Sequence, residues 1–523
     1  FPFRKSGIRS ALIHLLKCRK GEIMARGKIK KPLCESYIKY VVTPNVEGDL
    51  DHSYQTYLDL NKSHVVMIAN KGIIAKSVAA RILEVTQEMA AMGDKPNFYV
   101  DPRLEGTYFN LEKYLIDKTG IEIGGQQHTA RSRNDLIATV SRIDVRKAYL
   151  DLCEKVNLMR RTLIELADRN KETVMAGYTH LQPSEPITFA HYCSGILCGL
   201  DRDSRRLAAV FESINICPMG SGSMGSTTWD IDRQYMSDIH GFDAPIENSI
   251  DGVASRDYVL ELLSAIAIMS NTLSRLCADL YVWATPEFGY IEVDDSVAIC
   301  SSIMPQKKNP ITLEYVKGKA GNLSGMLTGA LSTLRNTPYT NTCDVVGETG
   351  RYVFTAIKEM CGCCEMMTDT LKSLVTRKER MVTNALGNFC SVTELANALV
   401  RHDKISFRAA HEIVAELVDI MIKTGKKANE IHAEDVNVAF EKLFQKKTSM
   451  TDEQILVALD PVRSAMSKKI LGGTAPEEVS RQLVVHSKRL DEDVALLEKR
   501  KAKIAAAKAR LEQDVNNLIA SQK

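Results

Sequence analysis

In one short stretch of the chain, residues 300–310, two adjacent hydroxyls are followed by two ammonium groups and then by an asparagine amide. They belong to Ser301, Ser302, Lys307, Lys308 and Asn309. No hydrophobic period runs through the stretch, which predicts a loop. Asn309-Pro310 is typical of a helix start, with the asparagine as N-cap and the proline in the first turn. A cationic loop before a helix N-terminus suits anion binding; the alternative is a solvated, well-capped surface loop.

The same stretch resembles the signature loop of the fumarase/aspartase superfamily, Ser-Ser-x-Met-Pro-x-Lys-x-Asn followed by a glutamate, here Glu314. Residues 304–310 are similar to the argininosuccinate lyase family in particular. That family splits an N-substituted aspartate, an N-succinyl amine, reversibly into fumarate and an amine. The resemblance therefore implies a carbon–nitrogen lyase that acts on a small dicarboxylate substrate and uses no cofactor and no metal.

Three further motifs fit this resemblance. Residues 127–135 resemble the family's His-Thr-Gly-Arg-Ser-Arg-Asn-Asp, with Ala130 in place of the glycine. Residues 177–183 contain the family's Thr-His-x-Gln-Pro. The glycine–serine loop at 220–226 follows no predicted strand, so it is not a dinucleotide fingerprint, and it is similar to the family's Gly-Ser-Gly loop. The resemblance covers residues 40–495.

The family's reaction begins with removal of a proton beside a carboxylate. The resulting carbanion is stable only if that carboxylate takes a doubly charged aci form. The site must therefore supply cations and hydrogen-bond donors where the charge develops. A base must also reach the carbon-bound proton, and water must be excluded.

Carried over residue by residue, the resemblance implies that Ser301 is the general base, as an alkoxide stabilised by Lys307 and the next helix N-terminus. Lys307 would also hold a substrate carboxylate. His180, paired with Glu314, would orient the substrate or relay a proton. Arg133 suits a bidentate carboxylate contact. The other substrate-binding residues implied are Arg131, Ser132, Asn134, Thr179, Gln182, Ser302, Met304 and Asn309.

One segment departs from the family. Members that cleave argininosuccinate have Tyr-Asn-Lys-Asp-Leu-Gln-Glu-Asp-Lys where this chain has Asn-Thr-Cys-Asp-Val-Val-Gly-Glu-Thr, at 341–349. The Tyr, Gln and second Lys that hold the arginine moiety are replaced by Asn341, Val346 and Thr349. Leu136 likewise stands in place of a family glutamine.

The fumarate half of the site is thus retained and the amine half is rebuilt; Gly-Thr-Tyr at 106–108 also replaces the family's Asp-Ile-His. This pattern is similar to family members that act on other N-succinyl amines, such as ethylenediamine-disuccinate lyase. We therefore expect an aminopolycarboxylate substrate. One alternative is a true argininosuccinate lyase of arginine biosynthesis. Another is a catalytically silent structural protein like the lens crystallins, which the retained motifs disfavour.

Long helices must position these motifs. Apolar residues recur at steps of three and four in segments that begin at Leu152, Val259 and Val316, which predicts bundle seams. The clearest seam is Val259, Leu262, Ile266, Met269, Leu273, Leu276, Leu280 and Trp283. No βαβ alternation appears, so we predict an all-α fold. The resemblance implies three domains and a central long-helix bundle that forms a homotetramer with a 20-helix core and composite active sites.

The chain divides into five predicted segments. They are a leader or untranslated extension (1–31), an N-terminal helical domain (32–130), a central helical bundle (131–382), a C-terminal helical domain (383–495) and a charged helical extension (496–523). The first segment carries ten Lys or Arg and one acid. It is either a basic targeting peptide or untranslated sequence before Met24, which we favour.

Leucine and isoleucine recur every seven residues along the tail, but Lys501 and Lys508 occupy the companion positions and weaken a second seam. The stripe is Leu483, Leu490, Leu497, Ile504, Leu511 and Leu518. A single apolar row is too narrow to be buried alone. We therefore predict that it packs against its own domain or a neighbouring subunit.

Composition and charge argue against several other classes of protein. The formal net charge of +3 implies no polyanionic partner, hence no nucleic acid. No uninterrupted run of 18 apolar residues exists, so no membrane span is predicted. The 13 cysteines are scattered except Cys361-Gly-Cys363-Cys364, and no second pair or nearby histidine completes a zinc set. Reduced thiols in a cytoplasmic protein are the expectation.

Overall fold

The computed structural model describes residues 31–523, so the predicted extension at 1–31 lies outside the described residues except for its last residue. Helices dominate, and the all-α prediction is confirmed. The helices are Glu35–Tyr37, Thr43–His52, Tyr54–Asn70, Lys76–Ala90, Thr107–Thr119, Ile121–Gly124, Arg133–Asp168, Phe189–Ile214, Arg233–Asp238, Ser249–Ala254, Asp257–Trp283, Ile311–Leu334, Val353–Ser373, Lys378–Gly387, Val392–Asp403, Phe407–Thr424, Ala433–Phe444, Asp452–Leu459, Pro461–Ser467 and Pro476–Ala520.

Short elements connect the long helices. Single turns of 3-10 helix lie at Pro102–Leu104, Gly125–His128, Asp295–Val297, Gly350–Tyr352 and Ala428–Glu430, and π-helical turns lie at Ile38–Val42 and Asp344–Glu348. Antiparallel pairs join Val174–Thr179 with Gln182–Thr188, Ile291–Glu292 with Val375–Thr376, and Ile299–Cys300 with Lys308–Asn309. Ile216–Cys217 pairs with Ala244–Pro245.

Side-chain caps fix several helix boundaries. The Oγ1 atom of Thr188 accepts a hydrogen bond from His191 N at 3.1 Å where Phe189–Ile214 begins. Ser406 caps Phe407–Thr424 in the same way, and that helix ends at Gly425, whose φ is +70°. A left-handed residue after the last turn favours glycine because glycine has no Cβ.

The chain forms two compact units. Unit 1 comprises the described residues up to Asp144, together with Cys217–Val253 and Ala506–Lys523. Unit 2 comprises Val145–Ile216 and Ala254–Ala505. Both units are assembled from separated stretches of sequence, whereas the predicted domains are contiguous. The three-domain division and its boundaries stay a prediction.

The core of unit 2 is a helical bundle. All eight residues of the predicted Asp257–Trp283 seam are buried, as are Leu152, Val156, Met159, Leu163 and Leu166 of the first seam. Val316, Ala320, Leu323 and Ala330 of the third are buried too. A second, smaller apolar cluster joins the helices between Val392 and Leu459. Among the described helices, Asp257–Trp283 is long and apolar enough to cross a membrane by composition, and its apolar side chains fill this bundle.

The helix Pro476–Ala520 contributes to the core of each unit. Leu483, Leu497 and the partly buried Ile504 pack in unit 2, whereas Leu511 and Leu518 are buried in unit 1. The predicted stripe thus packs against its own chain.

A buried polar cluster in unit 2 anchors the same helix. Asp201 accepts hydrogen bonds from Arg160 at 2.8 Å, His486 at 2.8 Å and Arg489 at 2.9 Å. Burial alone would raise the pKa of Asp201, but these donors outweigh burial and lower it to about 2.

Candidate active site

The signature stretch forms an exposed β-hairpin in unit 2. Ile299 pairs with Asn309 and Cys300 with Lys308, and the helix Ile311–Leu334 follows. Residues 301–307 form the predicted loop, but Cys300, Lys308 and Asn309 at its ends pair as strands. The sequence did not predict this pairing, because a two-residue strand leaves no side-chain period. The predicted cap was also misplaced: Asn309 lies in the strand, and Pro310 occupies the N-cap position. We call Ile299–Asn309 the signature hairpin.

Ser301 lies where the hairpin turns. Its Oγ atom accepts hydrogen bonds from Ile303 N at 3.3 Å and from Met304 N at 3.1 Å. Backbone N–H groups stabilise an anion at an oxygen that accepts from them. The local geometry therefore favours negative charge on the Ser301 oxygen. Ser302 and the Met304 side chain are exposed beside it.

The two lysines of the hairpin differ in their partners. Lys308 Nζ lies 2.6 Å from Asp295 Oδ1 and 3.4 Å from Glu292 Oε1, so its charge is balanced. Lys307 is exposed, and none of the described acidic side chains lies within ion-pair distance of it. Lys307 is therefore the cation that the hairpin can offer to a ligand.

Glu314 lies in the first turn of the helix after the hairpin. Its Oε1 atom accepts a hydrogen bond from Tyr281 Oη at 3.3 Å, and the charge of Glu314 raises the pKa of that phenol. The side chain is exposed. Among the described residues, no hydrogen bond joins Glu314 to His180, so the predicted pair is not formed within one chain.

Thr179 and His180 lie in a second hairpin of unit 2. Thr179 pairs with Gln182, and the two residues between them, His180 and Leu181, have φ values of 54° and 57°. Two successive left-handed residues define the tight turn that glycine and asparagine normally occupy. Leu181 adopts this conformation at an energetic cost, and such strain clusters at functional sites. The turn presents Thr179, His180 and Gln182 to the exterior.

The Ser132–Asn134 motif begins the helix Arg133–Asp168 in unit 1. Ser132 Oγ caps the helix by accepting from Asn134 N at 3.2 Å. Asn134 Nδ2 donates to Ser223 O at 3.0 Å, which ties the motif to the glycine–serine loop. The Arg133 guanidinium lies 4.4 Å from the ring centroid of Phe109 and 3.5 Å from Glu105.

Asp135 holds this region together, and the sequence analysis did not assign it a role. Its carboxylate accepts backbone hydrogen bonds from Ser132 at 3.0 Å, Gly220 at 3.0 Å and Gly222 at 2.9 Å. Burial raises its pKa, and these three donors oppose that shift. In the sequence, this role is suggested by an acidic residue directly after the motif and by a glycine-rich loop elsewhere in the chain. We call Arg131–Asp135 with residues 220–226 the unit 1 arm.

The glycine–serine loop needs glycine for steric reasons. Gly222 has φ +62°, and a Cβ atom there would lie 2.4 Å from Ser226 O. Gly220 has φ +90°. These positions let the loop turn sharply enough to direct two N–H groups at Asp135.

The positions that replace the family's arginine-binding residues lie after the helix Ile311–Leu334. Thr349 is fully buried, and its Oγ1 donates to Asp344 O at 3.1 Å. Asn341 and Val346 are half-buried. Leu136 is buried in the core of unit 1, so this position offers no group to a ligand.

The predicted site residues therefore fall into three groups, two in unit 2 and one in unit 1. Ser301, Ser302, Met304, Lys307, Asn309 and Glu314 lie on or just after the signature hairpin, Thr179, His180 and Gln182 on the strained turn, and Arg131–Asn134 in the unit 1 arm. Within unit 2, none of the described hydrogen bonds or ion pairs joins the strained turn to the signature hairpin.

Comparison with known proteins agrees with these features. Residues 53–325 match the family described as Lyase, and residues 389–465 match Argininosuccinate lyase C-terminal. Argininosuccinate lyase 1 of Shouchella clausii is 46% identical over 457 residues, which cover 87% of this chain and 92% of the relative. The argininosuccinate lyase of Methanocaldococcus jannaschii is 36% identical over 469 residues, covering 90% and 94%.

A solved structure is also similar. EDDS lyase in complex with formate superposes with a TM-score of 0.84 at 30% identity, covering 94% of this chain and 97% of that one. Fold and relatives together define a carbon–nitrogen lyase that releases fumarate. The chain belongs to the argininosuccinate lyase family of the fumarase/aspartase superfamily, as the sequence motifs predict.

Proposed function

We propose that this lyase removes fumarate from an N-succinyl amine whose amine part is not arginine, with an aminopolycarboxylate as the substrate. The observation that supports the chemistry best is the Ser301 oxygen held by two backbone N–H groups. The observation that supports the substrate class is Thr349, which stands where the family has an arginine-binding lysine. Thr349 carries no charge, and its side chain is buried.

In this proposal Ser301, as its alkoxide, takes the proton from the carbon beside a substrate carboxylate. The N–H groups of Ile303 and Met304 stabilise the alkoxide before the transfer. Lys307 and Asn309 then hold the carboxylate as it becomes the doubly charged aci form. The electron pair of the carbanion forms the double bond of fumarate, and the carbon–nitrogen bond breaks.

The leaving amine needs a proton, and the second carboxylate needs a fixed position. His180 with Glu314 supplies or relays the proton. Ser132, Asn134 and Thr179 hold the remaining carboxylate oxygens, and Arg133 offers a bidentate contact. Gln182, Ser302 and Met304 line the same space.

We propose that these surfaces meet in a homotetramer. The signature hairpin, the strained turn and the unit 1 arm each present polar side chains, and none of the described hydrogen bonds joins His180 to Glu314. A site composed of different subunits would unite them. A monomeric variant would then fold and have no turnover, whereas mixing two inactive variants mutated on different surfaces would restore part of the activity.

Arginine's own carboxylate lacks an obvious partner in this chain. Arg351, the nearest replacement cation in sequence, lies 3.1 Å from Glu348 and is already paired. Each lost hydrogen bond to a charged group weakens binding by roughly 1.5–3 kcal/mol. Several losses together are expected to lower kcat/KM for argininosuccinate by orders of magnitude, although they need not add.

Steady-state kinetics on a panel of N-substituted aspartates tests the proposal, with fumarate followed by its ultraviolet absorbance. We expect N-succinyl aminopolycarboxylates such as ethylenediamine disuccinate to be better substrates than argininosuccinate. If argininosuccinate is the best substrate by tenfold or more, the protein is an ordinary argininosuccinate lyase, the alternative that its 46% identical relative favours. Absence of fumarate from every substrate would favour a silent structural protein.

A further inference from the structure

A thiol, an imidazole and a carboxylate follow one another in a chain of contacts within unit 2. Cys198 Sγ lies 3.9 Å from His486 Nε2, and His486 Nδ1 lies 2.8 Å from Asp201 Oδ2. Cys198 and Asp201 belong to the helix Phe189–Ile214, and His486 belongs to Pro476–Ala520. None of the three is part of the proposed active site. A nucleophile beside a base that a third group orients is an arrangement that activates the nucleophile.

His486 is held in the orientation that such a base needs. It is 2% exposed, and Asp201 accepts the hydrogen of Nδ1, which directs Nε2 towards the thiol. Although burial raises the pKa of Asp201, the donors of His486, Arg489 and Arg160 lower it to about 2, so the carboxylate stays charged. A charged carboxylate at Nδ1 stabilises the ring when Nε2 takes up a proton.

Ser194 provides an acceptor for that proton. Its Oγ atom donates to Gln482 Oε1 at 2.6 Å and lies 3.2 Å from His486 Nε2. Because the hydroxyl hydrogen is directed to Gln482, the serine oxygen faces Nε2 as an acceptor. A proton that moves from Cys198 to Nε2 is therefore hydrogen bonded to Ser194. The serine is fully buried, so the group that can meet a ligand is the exposed thiol of Cys198.

The other described cysteines do not combine exposure with a neighbouring base. Burial raises the pKa of Cys193 and of Cys364, which disfavours the thiolate. Cys300 and Cys343 are exposed, but no histidine lies within hydrogen-bond reach of either among the described residues. Cys198 is therefore the thiol at which the structure favours reaction.

Exposed thiolates react with electrophiles, and this lyase releases one, because the double bond of fumarate lies between two carboxylates. We propose that Cys198 is a modification site that takes up fumarate, the product of the lyase reaction. In this step Sγ gives its proton to His486 Nε2 and forms a bond to one alkene carbon. The electron pair of the double bond moves to the other alkene carbon, which takes the proton from Nε2.

The product of this addition is a thioether of succinate on Cys198. Nothing leaves and nothing is oxidised, so thiol and fumarate are the only reactants. The addition has the same form as the reverse of the lyase reaction, with sulfur in place of the amine nitrogen.

Cations near the thiol suit a ligand with two negative charges. Arg202 follows Cys198 by one helical turn on the same face; its side chain is exposed and belongs to none of the ion pairs among the described residues. Arg489, one turn after His486, is 53% exposed and shares its charge with Asp201. An anionic electrophile is therefore favoured over a neutral one of equal reactivity.

Rates of alkylation test the activation of the thiol. The native full chain is treated with excess iodoacetamide at neutral pH, and peptide mass spectrometry follows each cysteine over time. We expect Cys198 to react at least about tenfold faster than Cys300 and Cys343. His486→Gln is expected to reduce the rate at Cys198 to that of the other two and to leave theirs unchanged. His411→Gln, which changes an exposed histidine elsewhere in unit 2, is the matched control.

Buried thiols report whether the variant is folded. Cys193 and Cys364 are at most 1% exposed, so they should stay unlabelled in the wild type and in both variants. If His486→Gln makes them reactive, the variant has lost its structure. The comparison of Cys198 with Cys300 in the wild type, which needs no variant, then decides the question.

The second measurement identifies the electrophile. The wild type is incubated with fumarate or with succinate, which carries the same charges and has no double bond. We expect a mass increase of one fumarate on the peptide that contains Cys198, at least about tenfold above that at Cys300, and no increase with succinate. Cys198→Ser should abolish this adduct and leave fumarate release from substrate unchanged, because the thiol is not part of the proposed active site.

Three results would overturn the proposal. The first is alkylation of Cys198 no faster than that of Cys300 and Cys343, and the second is an unchanged rate at Cys198 in folded His486→Gln. The third is rapid alkylation without a fumarate adduct, which excludes fumarate as the ligand. None of these results depends on which amine the substrate carries, because fumarate is added directly.

Discussion

The unit 1 arm and the signature hairpin carry the two halves of the proposed chemistry, and they are built in opposite ways. The arm surrounds a buried carboxylate, Asp135, that accepts three backbone hydrogen bonds and fixes two glycine positions. The hairpin is exposed along most of its length, and two residue pairs and the contacts of Ser301 Oγ define its shape.

This structural difference fits two different functions, substrate binding by the arm and proton transfer by the hairpin. A carboxylate-binding surface works best when its donors are fixed in advance, because no binding energy is then used to order them. A loop that carries a base must admit the substrate and then exclude water, which requires movement. We therefore expect the arm to behave as a rigid template and the hairpin as the part that closes.

The largest effect is expected where the hairpin holds the base. Ser301→Ala removes the hydroxyl that accepts from Ile303 N and Met304 N, and loss of a general base lowers kcat by about a hundredfold to ten-thousandfold. The variant is expected to fold and assemble normally. Ser296→Ala, outside the hairpin, serves as the control. If Ser301→Ala keeps more than about a tenth of the wild-type rate, a barrier change below ~1.4 kcal/mol, Ser301 is not the base.

Substitutions in the arm are expected to lower the stability of the protein rather than to remove a group that reacts. Asp135→Asn places an amide hydrogen against backbone donors and removes a charge that accepts three hydrogen bonds, so the free energy of unfolding is expected to fall by about 3 kcal/mol. Denaturant unfolding measures the loss, and hydrogen exchange at residues 220–226 locates it.

Gly222→Ala tests the same arm from the other side, because its Cβ would meet Ser226 O. Both variants should raise KM and increase exchange in the arm while leaving exchange in the signature hairpin unchanged. Equal loosening of both regions would contradict the distinction between template and closing element.

The sequence predicts the hairpin and the arm unequally. Helical periodicity identified the bundle because burial imposes steps of three and four on Val259–Trp283 and its neighbours. Residue types identified Ser301, Lys307 and the Ser132–Asn134 motif as polar clusters. The strained turn at His180-Leu181 and the two-residue strands of the hairpin were not predictable, because local propensity disfavours the first and no side-chain period marks the second.

Contacts between residues far apart in the chain were also not predictable from the sequence. Asp135 acquires its role from glycines 85 and 87 positions away. That role cannot be inferred from neighbouring residues. The heptad stripe of the tail did predict a packed helix, yet not that its end would complete the core of unit 1.

Leu511 tests how far the arm's unit depends on that tail. Leu511→Ala deletes a side chain that is 1% exposed in the core of unit 1, and we expect a loss of roughly 2–3 kcal/mol in unfolding free energy. Leu496→Ala, on the same helix but 38% exposed, is the matched control. A loss no larger than that of the control would mean that the end of the tail is dispensable to unit 1.

The smallest predicted effect is a pH dependence specific to the arm's surroundings. The pKa of His128 is about 4 in the folded protein against 6.5 as the ordinary value, through burial first and the charges of Arg131 and Arg133 next. Between those pH values the unfolded state binds more protons, so this group destabilises the folded protein as the pH falls. His128→Gln removes the effect and retains a donor for Tyr108.

We expect the wild type to lose about 1–2 kcal/mol more than His128→Gln between about pH 7 and pH 5, measured by urea unfolding. Asp49, whose pKa burial raises to about 6, works in the opposite direction in both proteins and cancels in the difference. Parallel stability curves for the two proteins would show that His128 titrates normally.

The helix Pro476–Ala520 makes the folding of unit 1 depend on contacts that are remote in the sequence. Its last turns place Leu511, Val515, Leu518 and Ile519 in the same cluster as Tyr54 and Leu58. During synthesis the core of unit 1 therefore stays incomplete until residues 511–519 have left the ribosome. We expect the unit 1 arm to reach its final rigidity only after that point, so it matures late although most of its residues are made early.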